Sequence, residues 1–125
     1  MAASKNPKAR LLHILEEIDG VAATIKDMDY TGYRDSYIAV RVVERALEII
    51  SEAARALPDA MTSKYPYIEW ARIRSIGNFL RHEYHQLDTH SLWDVATDKL
   101  VELRPVIIEM LGDIERREQK TDKSG

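Results

Sequence analysis

Cysteine is absent from this 125-residue chain, which excludes disulfide bridges, thiolate metal sites and cysteine nucleophiles. Glycine and proline are scarce, at five and four residues, so the tight turns that an all-β fold requires have few places to form. No apolar run has the length of a signal peptide or a membrane span. We therefore expect a helical protein of few, long elements that resides in the cytoplasm, away from the membrane.

The chain also lacks the strongly basic character of many nucleic-acid-binding proteins. Its 18 basic and 21 acidic residues give a net charge of −3. Any nucleic-acid footprint must therefore be local. One local patch is present, because three arginines and no acid occur between Arg72 and Arg81.

Apolar residues that recur every three or four positions predict amphipathic helices at about 7–28, 35–57 and 67–84, with a fourth from Ser91. Asn6 is the expected N-cap of the first helix. The pattern predicts an all-α fold, a four- to five-helix up-and-down bundle whose last helix is kinked or split at Pro105. We expect one domain over residues 1–117, followed by a charged, disordered tail at 118–125.

The second predicted helix is apolar on two sides. A second row, formed by Ile38, Val42 and Ile49, lies apart from the main apolar stripe. A helix of this kind is central, either inside a monomer core or at a subunit interface. Both alternatives are open at this point.

The third predicted helix carries a polar stripe opposite its apolar face. At about 100° per residue, four side chains share the stripe: Arg74, Asn78, Arg81 and His85. His82 lies at its edge, and Tyr84 lies near the boundary on the other flank. A solvated helix face is the simplest interpretation, but such faces usually mix charges of both signs, and this one contains no acid.

Two kinds of site would use these residues. His82 and His85 are three positions apart and could face a metal ion together with Asp88 or His90. The neighbouring arginines would repel a cation, so we expect no metal and no other cofactor. The other site is for phosphate chemistry: arginine binds phosphate through a planar fork of donors, and histidine can remove the proton of an RNA 2′-hydroxyl.

Several segments give the chain its resemblance to the HepT-like branch of the HEPN superfamily. Residues 48–58 resemble the end of the second family helix, and Glu69-Trp70 resembles the start of the third. Residues 78–84 resemble the family signature Asn-x-x-x-His-x-Tyr, which Asp88 and Trp93 follow.

The resemblance implies a dimeric bundle with a toxin-type, metal-independent ribonuclease site in the cleft between two subunits. It implies that His82 is catalytic and that Asn78 shapes the site. It also implies a minimal nucleotidyltransferase (MNT) antitoxin as partner, which attaches AMP to Tyr84. We expect Arg81 to act in catalysis beside His82, and Arg74, Arg81 and His85 to bind the phosphates of RNA.

One position departs from the family pattern. The family places an arginine directly before the motif asparagine, where this chain has Gly77. Arg81 or Arg74, each about one helical turn from Asn78, would have to replace it. If neither does, the alternative is a catalytically weak or inactive binding or regulatory subunit of a minimal nucleotidyltransferase.

Overall fold

The computed structural model describes residues 6–82 and 89–124, with the side chains of 6–81 and 89–121. The described residues contain helices and no strand. In chain order these are α1 (Pro7–Ile25), α2 (Tyr30–Arg34), α3 (Tyr37–Arg55), α4 (Asp59–Thr62), α5 (Trp70–His82), α6 (Thr89–Asp94) and α7 (Leu100–Ser124), with a π-helical turn (Val95–Lys99) between α6 and α7. The predicted all-α bundle is confirmed.

Polar side chains cap the helix starts. The Asn6 side chain accepts a hydrogen bond from the Ala9 amide at 3.1 Å, as the sequence predicts. Ser36 caps α3 in the same way, so this helix begins at Tyr37 and not near Asp35. Asp29 caps α2, a single turn formed where the sequence indicated only a break.

Long helices pack as antiparallel pairs. Ion pairs Lys8–Glu118 and Asp19–Arg104 join opposite ends of α1 and α7. Helices α3 and α5 are also antiparallel, because Ser51 bonds to Gly77 and Ala54, further along α3, bonds to the earlier Arg74 of α5. Helix α3 lies between α1 and α5, and nearly every residue of its predicted main stripe is fully buried. Apolar burial along this central helix is the main source of the fold's stability.

Two features of the last helix bear on the prediction. Of the kink or split expected at Pro105, the split is absent, because α7 continues from Leu100 to Ser124. Pro105 has no amide hydrogen to donate to the Val101 carbonyl. Val101 is 65% exposed, so water can donate a hydrogen bond to that carbonyl instead. Residues 118–124 are helical where a disordered tail was expected. Glu118 pairs with Lys8 at 3.0 Å, which ties this end of α7 to α1.

Candidate functional site

Helix α5 carries the predicted site, and its apolar side attaches it to α3. Trp70 at its first turn is buried and donates from Nε1 to the Tyr65 carbonyl at 3.1 Å, which anchors the helix to the preceding connector. Leu80 is buried, and Ile73 and Ile76 pack half-buried against the core. The face opposite these residues is therefore the one left open, as the helical wheel predicts.

Gly77 lies at the closest approach of α5 to α3. Its amide donates to the Ser51 Oγ at 3.1 Å, and the Ser51 hydroxyl donates to the Arg74 carbonyl at 2.8 Å. A Cβ added at Gly77 would lie 2.9 Å from the Ser51 Oγ and 3.0 Å from the Ser51 Cβ. A side chain at this position would force the Ser51 side chain, or the two helices, to shift.

Position 77 therefore faces α3, not the polar stripe. An arginine at this position would have to displace Ser51, which is 1% exposed. The glycine is the residue that this helix contact requires. The predicted phosphate-binding arginines of this chain consequently lie at other positions.

Arg74, one of those arginines, is part of the scaffold. Its Nε donates to the Ala54 carbonyl at 3.4 Å, near the end of α3, and one Nη donates to the Thr62 hydroxyl of α4 at 3.2 Å. Asp59 lies 3.7 Å from the same Nη. The Arg74 side chain is 29% exposed. Arg74 thus holds three elements together and still presents part of its guanidinium to solvent.

Asn78 lies in an open groove between α5 and the end of α3. Arg74 and Ser75 line the groove from α5, and Asp59 lines it from α4. Arg55, in the last turn of α3, forms the facing wall. The sequence reasoning missed Arg55, because a basic residue at a helix end is also what the helix dipole favours.

Arg81 is exposed one turn beyond Asn78 on the same side of α5. It makes no hydrogen bond or ion pair with the side chains of residues 6–81 and 89–121, which are the ones that the structure describes. His82 is the last described residue of α5, and its side chain lies outside the described residues. Tyr84 and His85 also lie outside them, so their predicted positions on the site remain predictions.

His90 belongs to a separate aromatic cluster. Its ring lies 4.7 Å from the Tyr30 ring, and its Nδ1 is 3.5 Å from Asp94. The Tyr30 hydroxyl also bonds to Thr89 at 3.0 Å. Within the described part of the chain, no three His, Asp or Glu side chains are placed to share a metal ion. No described helix is long and apolar enough to cross a membrane.

Comparisons with known proteins agree on one family. A family model described as "Ribonuclease HepT-like" matches residues 14–110. A "Putative RNase" of Methanocaldococcus jannaschii is 28% identical over 91% of this chain and 94% of its own length. A "Probable ribonuclease HepT" of Thermococcus cleftensis is 32% identical over 80% of this chain and 91% of its own length. No solved structure matches the chain.

Proposed function

Because the chain belongs to the ribonuclease HepT-like family, we propose that it is an endoribonuclease that needs no metal ion and acts as the toxin of a toxin–antitoxin pair. The observation that carries the proposal is the open groove along α5. Asn78 and the free face of Arg74 line it, and Arg81 follows one turn further on, beside His82. Arg74 and Arg81 thus form a positively charged surface along α5 toward His82, and Asp59 is the one acidic residue among those described in the groove.

The reaction uses the nucleophile that RNA itself supplies. His82 accepts the proton of a 2′-hydroxyl, and the 2′-oxygen attacks the adjacent phosphorus. The bond from phosphorus to the 5′-oxygen breaks, and the leaving oxygen takes a proton from water or from the His82 imidazolium. The products are a 2′,3′-cyclic phosphate and a 5′-hydroxyl. Arg81 stabilises the charge that builds on the phosphoryl oxygens.

A cleavage assay in EDTA tests the assignment of His82. We expect the His82→Ala variant to lose about 100-fold or more in rate, the usual contribution of a general base. The His90→Ala variant is the matched control, because His90 is an exposed histidine paired with Asp94 outside the groove. Equal activity of wild type and His82→Ala, or equal losses in both variants, would reject the assignment.

Regulation is proposed to act on Tyr84. A nucleotidyltransferase antitoxin would direct the Tyr84 phenol oxygen to the α-phosphorus of ATP, forming Tyr-AMP and releasing pyrophosphate and a proton. The test is co-expression with a nucleotidyltransferase encoded beside this gene, followed by intact-mass measurement. Wild type should gain the mass of one adenylyl group, which is AMP less one water, and the Tyr84→Phe variant should not. An unchanged wild-type mass would overturn this part of the proposal.

Gly77 supports a second candidate function. Because position 77 is closed by Ser51, the arginine of the family motif has no place in this chain. Loss of one charge-stabilising donor costs on the order of 100- to 1,000-fold in rate. The alternative is therefore a binding or regulatory subunit of a minimal nucleotidyltransferase. It predicts a stable complex with that enzyme and no RNA cleavage with or without it.

A further inference from the structure

Arg55 is the one arginine of the groove that nothing described holds in place. It is exposed in the last turn of α3 and lines the groove opposite Ser75 and Asn78. Within the described residues it has no hydrogen bond and no ion pair. Arg74, by contrast, is fixed by its bonds to Ala54 and Thr62. The groove thus combines one pre-positioned cation with one that is free to close on a ligand.

The remaining groups of the groove suit an anion with several oxygens. Asn78 offers an amide donor. The Ser75 hydroxyl donates to the Arg72 carbonyl at 3.0 Å, so Ser75 lines the groove without a free donor. Asp59 is the carboxylate there, and its side chain is 97% exposed and only 3.7 Å from the Arg74 Nη. An exposed pair at this distance contributes little stability, so a phosphate can displace Asp59 at small cost.

The end of the groove between Arg55 and Arg74 lies too far from His82 along α5 to hold the phosphate that is cleaved. Arg74 precedes His82 by just over two helical turns, about 12 Å at a rise of 1.5 Å per residue. A phosphate between Arg55 and Arg74 therefore belongs to a nucleotide that flanks the cleaved linkage. Such a contact contributes to substrate binding and not to the chemical step.

We propose that Arg55 and Arg74 form a binding subsite for a flanking phosphate of a single-stranded RNA substrate. The inference rests on the proposed ribonuclease function and adds to it a residue, Arg55, and a direction for the bound strand. The strand runs from His82 along α5 toward α4. Arg55 offers a phosphate paired N–H donors, which a lysine cannot match. Arg74 offers the Nη N–H groups that its bonds to Ala54 and Thr62 leave free.

The test compares two substrates. The first substrate is a dinucleotide, whose only phosphate is the one that is cleaved. The second is a longer oligonucleotide that contains the same dinucleotide at the cleavage point. For the oligonucleotide we expect Arg55→Ala to raise KM about tenfold, as for loss of one charge-assisted contact, with kcat unchanged. For the dinucleotide we expect no change. Arg34→Ala is the control, because Arg34 is also an exposed arginine but lies just before the start of α3, whereas Arg55 lies in its last turn.

Direct binding separates this inference from the proposed function. A 2′-O-methyl oligonucleotide cannot be cleaved, and its affinity can be measured by fluorescence anisotropy at several salt concentrations. Arg55→Ala should weaken binding and reduce the salt slope by about 0.7, the value for one phosphate contact on a single strand. Asp59→Asn should strengthen binding severalfold, because the competing carboxylate is gone.

The outcomes distinguish the two claims. If wild type binds this RNA through Arg55 but cleaves no RNA, the subsite stands and the ribonuclease proposal fails. If wild type cleaves RNA and Arg55→Ala behaves as wild type on both substrates, the subsite is wrong. Equal losses on the dinucleotide and the oligonucleotide also overturn it, because they would place Arg55 at the cleaved phosphate or in the fold.

Discussion

At the scale of single residues, the most consequential side chain is one that is missing. Gly77 lets α5 approach α3 closely enough for Ser51 to bond to both the Gly77 amide and the Arg74 carbonyl. From sequence alone this glycine was interpreted as a lost catalytic arginine. Its burial against α3 shows that it has a packing role in this chain, whatever the chemistry of the site.

We predict that Gly77→Ala destabilises the protein by about 1–3 kcal/mol, because its Cβ would overlap Ser51 and force two helices apart. Gly20→Ala is the matched control. Gly20 lies inside α1 with no atom within 4 Å of an added Cβ, so alanine should stabilise there by about 0.5–1 kcal/mol. Urea unfolding measures both changes. Equal stability of the two variants would contradict the close contact at Gly77.

Tyr33 gives a prediction in alkaline solution. Burial raises the pKa of its phenol to about 12, with the Glu44 charge adding to the effect. Between the ordinary pKa near 10 and this value, only the unfolded chain ionises at Tyr33, so stability falls as the pH rises through that window. Tyr33→Phe should remove this part of the pH dependence. Urea unfolding of both proteins at pH 7, 9 and 11 checks it.

The same variant has an expected effect at neutral pH. The Tyr33 hydroxyl is buried and finds no hydrogen-bond partner among the described residues. Removing it should therefore leave stability unchanged or raise it by up to about 1 kcal/mol. A loss of more than about 2 kcal/mol would mean that a partner exists outside those residues.

At the scale of helices, the polar stripe of α5 contains one residue that bonds to other helices and one that is exposed. Arg74 bonds to Ala54 in α3 and Thr62 in α4, so it stabilises the junction of three elements. Arg81 is exposed and has no described partner. The helical wheel placed both on one face but had no information on what that face meets.

We therefore predict that Arg74→Ala lowers the free energy of unfolding by about 1–3 kcal/mol, as for loss of a charged hydrogen-bond donor. Arg81→Ala should change it by less than about 0.5 kcal/mol, as expected for an exposed side chain. Chemical unfolding of both variants measures the difference. If Arg81→Ala is the more destabilising variant, the assignment of scaffold and ligand-binding roles is reversed.

At the scale of the whole molecule, the second apolar row of α3 predicts self-association. Ile38 is 72% exposed and Val42 is 36% exposed, while Ile49 is half-buried. Tyr37, beside Ile38, is 73% exposed, and the Arg41 Cζ lies over its ring, 4.8 Å from the ring centroid. The first turns of α3 are thus an uncovered apolar surface, which suits a subunit interface better than a monomer core.

We predict that wild type is a dimer and that Ile38→Glu converts it to a monomer, because an unpaired carboxylate at an apolar interface is costly. Val101→Glu is the control, since Val101 is 65% exposed on α7, away from this row. Sedimentation velocity distinguishes the states, and circular dichroism checks that the helices persist. A monomeric wild type, or a dimeric Ile38→Glu variant, would contradict the interface.

The sequence by itself determined the helices, because their signals are local. Caps such as Asn6 and three- to four-residue apolar spacing act within one or two turns, and they placed α1, α3 and α5 to within a few residues. The buried stripe of α3 was identified for the same reason. The short helices α2 and α4 were missed, because a single turn has too few residues to show a period.

The tertiary structure decided which of the predicted site residues contact other helices and which stay exposed. The antiparallel alignment of α3 with α5 puts Ser51 against Gly77, fixes Arg74 and brings Arg55 across the groove from Asn78. These pairs are 20 or more positions apart in the chain, and their meeting depends on helix register and distance of approach. The periodicity of a single helix contains neither quantity. The sequence could therefore identify Asn78 and Arg81 as candidate site residues, but it could not distinguish stripe residues that contact other helices from those that are exposed.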